Sequence, residues 1–200
     1  MPTPSFIQNY TQVVAGIRLC VEKRLFSPAL ILIYATMDSY AWAVSDKAER
    51  KVGRRFESFV ANWVLPNHPL PCQPTDLYGA RCAILHTLTG DSDLSKAGSA
   101  KKVAYAWGTA EAGAFAEAIG HLGGSGTVTL HIEDLANALF DAMLAVHERA
   151  TTDATVEARL TEAAERHYQD LEKRTVDEFL RSVHDKPAVE LPVSLGAKRT

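Results

Sequence analysis

A chain of 200 residues that is 46% apolar can bury a sizeable core as one domain and leaves no room to hide a second enzyme module. Its longest strongly apolar run, Ala29 to Met37, falls far short of the ~20 residues that span a bilayer, and Met1-Pro2-Thr3-Pro4-Ser5 lacks the cationic start of a secretory signal. With a net charge of −3 and an odd set of cysteines, Cys20, Cys72 and Cys82, in no framework spacing, the composition speaks against a disulfide scaffold and for a reducing cytoplasm.

In chain order, Phe6, Tyr10, Val13, Val14, Ile17, Cys20 and Val21 recur every three or four residues and predict an amphipathic helix over about 5–25. Ser27-Pro28 sets a capping hydroxyl before a proline at the first helical position. The run that follows, to about Ser45, is apolar on several sides, as a central bundle helix must be. Val52, Phe56, Phe59, Val60 and Trp63 mark one side of a third helix over about 52–64, after which Pro66, Pro69, Pro71 and Pro74 forbid helix. A fourth helix is expected with Thr75 as its cap, Asp76 in its first turn and Gly90 as its stop.

Beyond residue 95 the pattern changes. Lys102-Val103-Ala104-Tyr105-Ala106-Trp107 and Gly126-Thr127-Val128-Thr129-Leu130-His131 are short and rich in β-branched or aromatic residues, and would pair as a two-stranded ribbon around an Ala-rich helix over 109–121. Helices are expected again over about 133–149 and 155–183, the last with Leu160, Ala164, Tyr168, Leu171, Phe179 and Val183 as an apolar stripe, followed by a loose tail from Asp185.

The overall charge conceals an asymmetry. Residues 1–108 hold 12 Lys and Arg against 8 Asp and Glu, a balance of +4, whereas residues 109–200 hold 9 against 16, a balance of −7. The densest basic cluster, Arg50, Lys51, Arg54 and Arg55, could attract RNA phosphates in a salt-dependent way; a solvated helix face is the plain alternative.

The residues that carry chemistry are Arg81 and His86, five positions apart in Tyr78-Gly79-Ala80-Arg81-Cys82-Ala83-Ile84-Leu85-His86. An arginine offers a permanent planar cation that matches phosphate oxygens, and a histidine exchanges a proton near neutral pH without a metal. Five residues amount to about 140° around a helix, so the two side chains are expected to flank a groove that a second surface completes. Ala83 and Leu85 beside them are candidate contacts for that surface. Asp38, an acid within an apolar helix, needs a partner: Arg81, a site water, or a backbone group. Tyr34 and Tyr78 read as core residues, with Tyr78 kept as a supporting residue of the site. The other histidines, His68, His121, His131, His147, His167 and His184, read as surface or capping residues.

The chain resembles the HEPN superfamily of small helical domains over about residues 5–90, on the Arg81-x4-His86 helix and on the apolar helix Ala29-Leu30-Ile31-Leu32-Ile33-Tyr34-Ala35-Thr36-Met37-Asp38. The resemblance implies a homodimer in which Arg81 and His86 of two protomers meet and cleave RNA without metal or other cofactor, in the role of a toxin or defence effector with a protein antitoxin as partner. A rival reading gathers His68, Cys72, Cys82 and His86 into a tetrahedral zinc site. The expected architecture is all-α, a helical bundle of HEPN type with a small two-stranded β ribbon in its second half. It forms one domain over 1–184, with a core at 5–90, ribbon and short helix at 95–131, C-terminal helices at 132–184 and a flexible tail at 185–200. The alternative function is a non-catalytic dimer that binds RNA, a nucleotide or a protein partner.

Overall fold

The computed structural model describes residues 4–124, 126–166 and 181. The elements below belong to one compact unit, Met1–His167. The expected tail from Asp185, and the stripe residues Tyr168, Leu171, Phe179 and Val183, lie outside the described residues. The architecture is an all-α bundle with a small two-stranded sheet.

Helix α1, Pro4–Glu22, buries Phe6, Tyr10 and Ile17 along one stripe. Arg24 follows it in the left-handed region (φ 58°), with its N–H on the Val21 carbonyl and that of Leu25 on Cys20, a reversal usually given to glycine. Helix α2, Phe26–Val44, is the central element and packs against α1 and against four helices further along. The expected cap at Ser27 is not used. The first helical bond runs from Ala29 N–H to the Leu25 carbonyl, one turn earlier, so Pro28 sits where a missing N–H costs nothing.

Helix α3, Val52–Phe59, continues into a π-helical turn, Val60–Val64, and a short α4, Leu65–Asn67. Pro66 therefore lies within helical structure, against expectation. The widened turn before it passes the Leu65 N–H to the Val60 carbonyl and removes the need for the bond that a proline cannot donate. Phe56, Phe59, Val60 and Val64 are buried, while Val52, expected on the inner side, is exposed.

Helix α5, Pro74–Thr87, carries the motif. It starts earlier than the Thr75 cap predicts: Asp76, buried, accepts from the N–H of Gln73 (2.9 Å) and from that of Lys101 (2.7 Å), so one carboxylate both caps the helix and ties it to the chain entering the sheet. It ends before Gly90, because Leu88 takes the left-handed conformation (φ 52°) and the N–H groups at the cap reach the Ala83 and Ile84 carbonyls. A one-turn helix α6, Asp93–Lys96, that the sequence reading missed is capped by Ser92.

Strands β1, Lys102–Ala106, and β2, Thr127–His131, pair in parallel, with Lys102 opposite Thr127 and Ala106 opposite His131. A parallel pair needs a crossover, and α7, Ala112–His121, supplies it, starting three residues later than the sequence reading placed it. Helix α8, Ile132–Ala150, and helix α9, Ala154–Glu165, close the bundle on α2. Leu160 and Ala164 of the predicted stripe are buried there. His147, expected at the surface, is a partly buried member of an aromatic cluster: its Nε2 meets the Tyr40 hydroxyl at 2.9 Å and its ring stands edge-on to Phe6.

Candidate active site

Packing of α5 on α2 sets Arg81 opposite Asp38. Asp38 Oδ2 accepts from Arg81 Nε at 2.7 Å and lies 2.5 Å from Nη2, with the arginine side chain 14% and the carboxylate side chain 21% exposed. The acid in the apolar helix thus has the partner its setting demands. On the other side of the guanidinium, Nη1 meets His86 Nε2 at 3.1 Å, and Cys82 Sγ lies 4.0 Å away. Arginine only donates, so His86 Nε2 is the acceptor in this contact.

This geometry corrects the expectation of diverging side chains. The ~140° separation holds at the backbone, but an extended arginine reaches across it, and the exposed His86 in the last turn leans back to meet it. One chain therefore assembles Asp38, Arg81 and His86 into a row. Burial works to lower the proton affinity of the Arg81 guanidinium. The hydrogen bond and charge of Asp38, with the Cys82 thiol beside it, outweigh that and hold it above its ordinary value.

Tyr78 stands one turn before Cys82. Burial and then the neighbouring Cys82 thiol raise its hydroxyl above the ordinary tyrosine value, against the opposing charge of Arg81. Its ring rests against Phe56 at 5.7 Å and close over Gly53, where a Cβ would come within 2.8 Å of the ring. Gly53 was not singled out by the sequence reading; a glycine inside an amphipathic helix was the available signal. Ala83 is buried and so unavailable for contact between protomers, and Leu85 packs partly against the core; the exposed apolar residue beside the motif is Leu88.

The rival zinc residues do not converge. His68 is taken by Asp141 at 2.8 Å, Cys72 is buried with its thiol pushed up to about 12 by burial and then by Asp76, and Cys82 and His86 both attend Arg81. Among the described residues no group of three His, Cys, Asp or Glu side chains is placed to hold a metal ion. The basic cluster also divides: Arg54 leans toward Glu49 at 3.7 Å, Lys51 is exposed, and Arg50 and Arg55 turn toward α9. No family model, no curated protein and no solved structure matches the chain.

Proposed function

We propose that this chain is a metal-independent endoribonuclease of HEPN type that acts as a homodimer, in a toxin or defence role. The observation that carries the reading is the row Asp38, Arg81, His86, in which a guanidinium fixed by a carboxylate stands beside an exposed imidazole. His86, its Nε2 released from Arg81 Nη1 as that N–H turns to the phosphate, would take the proton of a ribose 2′-OH as that oxygen bonds to phosphorus. The P–O5′ bond breaks, the leaving 5′-oxygen gains a proton from the second copy's protonated imidazole, and a 2′,3′-cyclic phosphate remains. Arg81 would balance the charge that builds on the phosphoryl oxygens.

The donor count favours two copies. A guanidinium has five N–H groups; Asp38 takes two, His86 one and Cys82 Sγ a long one at 4.0 Å, which leaves one for a phosphate. A second Arg81 about a two-fold axis would double that supply.

The opposing reading, a dimer that binds RNA, a nucleotide or a protein such as an antitoxin without cleaving, draws on the same ion pair, because an arginine held by Asp38 also serves simply to join α2 and α5. Purified full-length protein incubated with single-stranded RNA in excess chelator decides between them. Expected are cleavage with 2′,3′-cyclic ends, intact DNA, and a loss of roughly 100-fold or more in a folded His86→Ala variant. Unchanged cleavage in that variant, or activity that chelator abolishes, overturns the proposal. Leu88→Glu tests assembly, since a folded monomer that cleaves at the parental rate would rule out a composite site.

A further inference from the structure

We propose that a cavity away from Arg81 and His86, between the C-terminal end of α2, the start of α3 and the last turns of α9, binds a single nucleoside phosphate. The cavity encloses about 340 Å³, at the small end of the range for ligand pockets, ~300–1,000 Å³. Its charge is unbalanced. Lys47, Arg50, Arg55, Arg159 and Arg166 line it, against only two carboxylates, Asp46 and Glu162, in a chain whose net charge is negative.

Those carboxylates are already engaged. Glu162 pairs with both Lys47 and Arg166, and Asp46 takes Arg159 at 3.3 Å, while Arg159 also donates to the Val44 carbonyl at 3.0 Å. The guanidinium groups of Arg50 and Arg55 have no hydrogen-bond or ion-pair partner among the described residues. Two free forks at the edge of a concave surface, beside a third arginine fixed by its neighbours, form the pattern that phosphate oxygens satisfy in bidentate fashion. Phosphate alone would leave one wall unused. Trp42 also lines the cavity, is 38% exposed, and has no aromatic neighbour among the described residues, which makes its indole the side chain here that a base would stack on. The volume suits one base with its sugar and phosphate.

This inference is independent of ribonuclease activity. Helix α5, with Arg81 and His86, contributes nothing to the lining. It also divides the predicted RNA-binding cluster: Arg50 and Arg55 line this cavity, Arg54 joins Arg55 along an adjoining hollow beside Asn62 and Trp63, and Lys51 is exposed.

Calorimetric titration of the full chain with ATP, AMP, adenosine and inorganic phosphate tests it. ATP and AMP should bind once per chain, ATP more tightly, and phosphate and adenosine each far more weakly. Arg50→Gln and Arg55→Gln should each weaken ATP binding roughly tenfold, the scale of one charge-assisted contact. Trp42→Ala should weaken AMP roughly tenfold and leave inorganic phosphate unchanged. Arg81→Ala should leave ATP binding as it was, which separates failure here from failure of the ribonuclease reading. Absence of ATP binding overturns the proposal. So does phosphate binding as tightly as AMP, which would mark a plain anion site, and so does equal loss in Arg81→Ala. Displacement of ATP by a short oligoribonucleotide but not by AMP would mark a strand site and overturn it as well. If the arginine variants lose their helical circular dichroism, Trp42→Ala and displacement by AMP still decide.

Discussion

Asp38 and Trp42 lie one turn apart on α2, yet the arginines that gather near them live under opposite conditions. Arg81, facing Asp38, is largely withdrawn from solvent and has four of its five N–H groups engaged, two on Asp38, one on His86 and a long one on Cys82. Arg50 and Arg55, at the cavity that Trp42 lines, are uncommitted cations among other cations. The first arrangement fixes one guanidinium in place at the cost of desolvating it and its partner; the second leaves charge mobile and seeks a ligand to balance it. One residue type therefore supplies position in one region and attraction in the other, and substitution should separate the two.

The largest effect is expected at Arg81. Arg81→Ala leaves Asp38 without its partner at a largely buried position, so stability in urea unfolding should fall by about 2–3 kcal/mol while RNA cleavage falls roughly 100-fold or more. Arg81→Lys keeps the charge but replaces the fork with a point donor that cannot reach Asp38 and His86 together. Part of the stability should return and little of the activity. Full recovery of cleavage by lysine would show that charge alone, and not its placement, matters there.

A smaller loss is expected at Gly53. A methyl group there would meet the Tyr78 ring at 2.8–2.9 Å, and that ring is the wall behind Cys82 and Arg81. Overpacking of this kind costs ~1–3 kcal/mol, against the ~1 kcal/mol that alanine gains over glycine in a helix. Gly53→Ala should therefore come out neutral to about 2 kcal/mol less stable, with the Tyr78 ring displaced in a crystal structure or by its NMR shifts. A clearly stabilised variant with an unmoved ring would refute the close contact.

How far the sequence discloses this contrast depends on distance along the chain. The periodic apolar stripes of α1 and α3 and the many-sided apolar run of α2 are legible because core burial imposes them locally, and the acid Asp38 in that run announces that a partner is needed. Which partner is not legible, since that depends on how α5 lies on α2. The meeting of Arg81 with His86 is not legible either, because helical angles describe Cα positions and not the reach of a long side chain. Helix ends were misplaced wherever unusual residues took the reversal: Arg24 and Leu88 adopt left-handed backbone that propensity assigns to glycine. The cavity was hidden most completely, because Arg159 and Arg166 come from a helix more than 100 positions after Arg50 and the cluster near Arg50 gives no sign of them.

Burial should also be visible as a pH effect on the opposite side of α2. His147, held between Phe6 and Tyr40, has its proton affinity lowered by burial below the ordinary value of 6.5. The folded protein thus favours the neutral ring, and the unfolded chain binds the proton first. Stability from this group is complete above pH 6.5 and is lost as pH falls through that value toward the folded one. Urea midpoints measured from pH 7.5 down to pH 5 should decline, and a His147→Gln variant should show a shallower decline. Equal slopes would assign the pH dependence to other groups.

The smallest effect is expected at Arg54, the cation of the basic cluster that does have a carboxylate nearby. Its distance to Glu49 is 3.7 Å and its side chain is 66% exposed, so water screens the attraction and the long side chain loses freedom in holding it. Arg54→Ala should change stability by less than about 0.5 kcal/mol, a difference that added salt erases. Arg81→Ala, measured beside it, should keep most of its loss at the same salt, because burial shields its pair from screening ions. If the two arginines instead respond alike to salt, then Arg81 is held no more firmly than a surface cation, and the distinction between a placed and an attracting guanidinium fails.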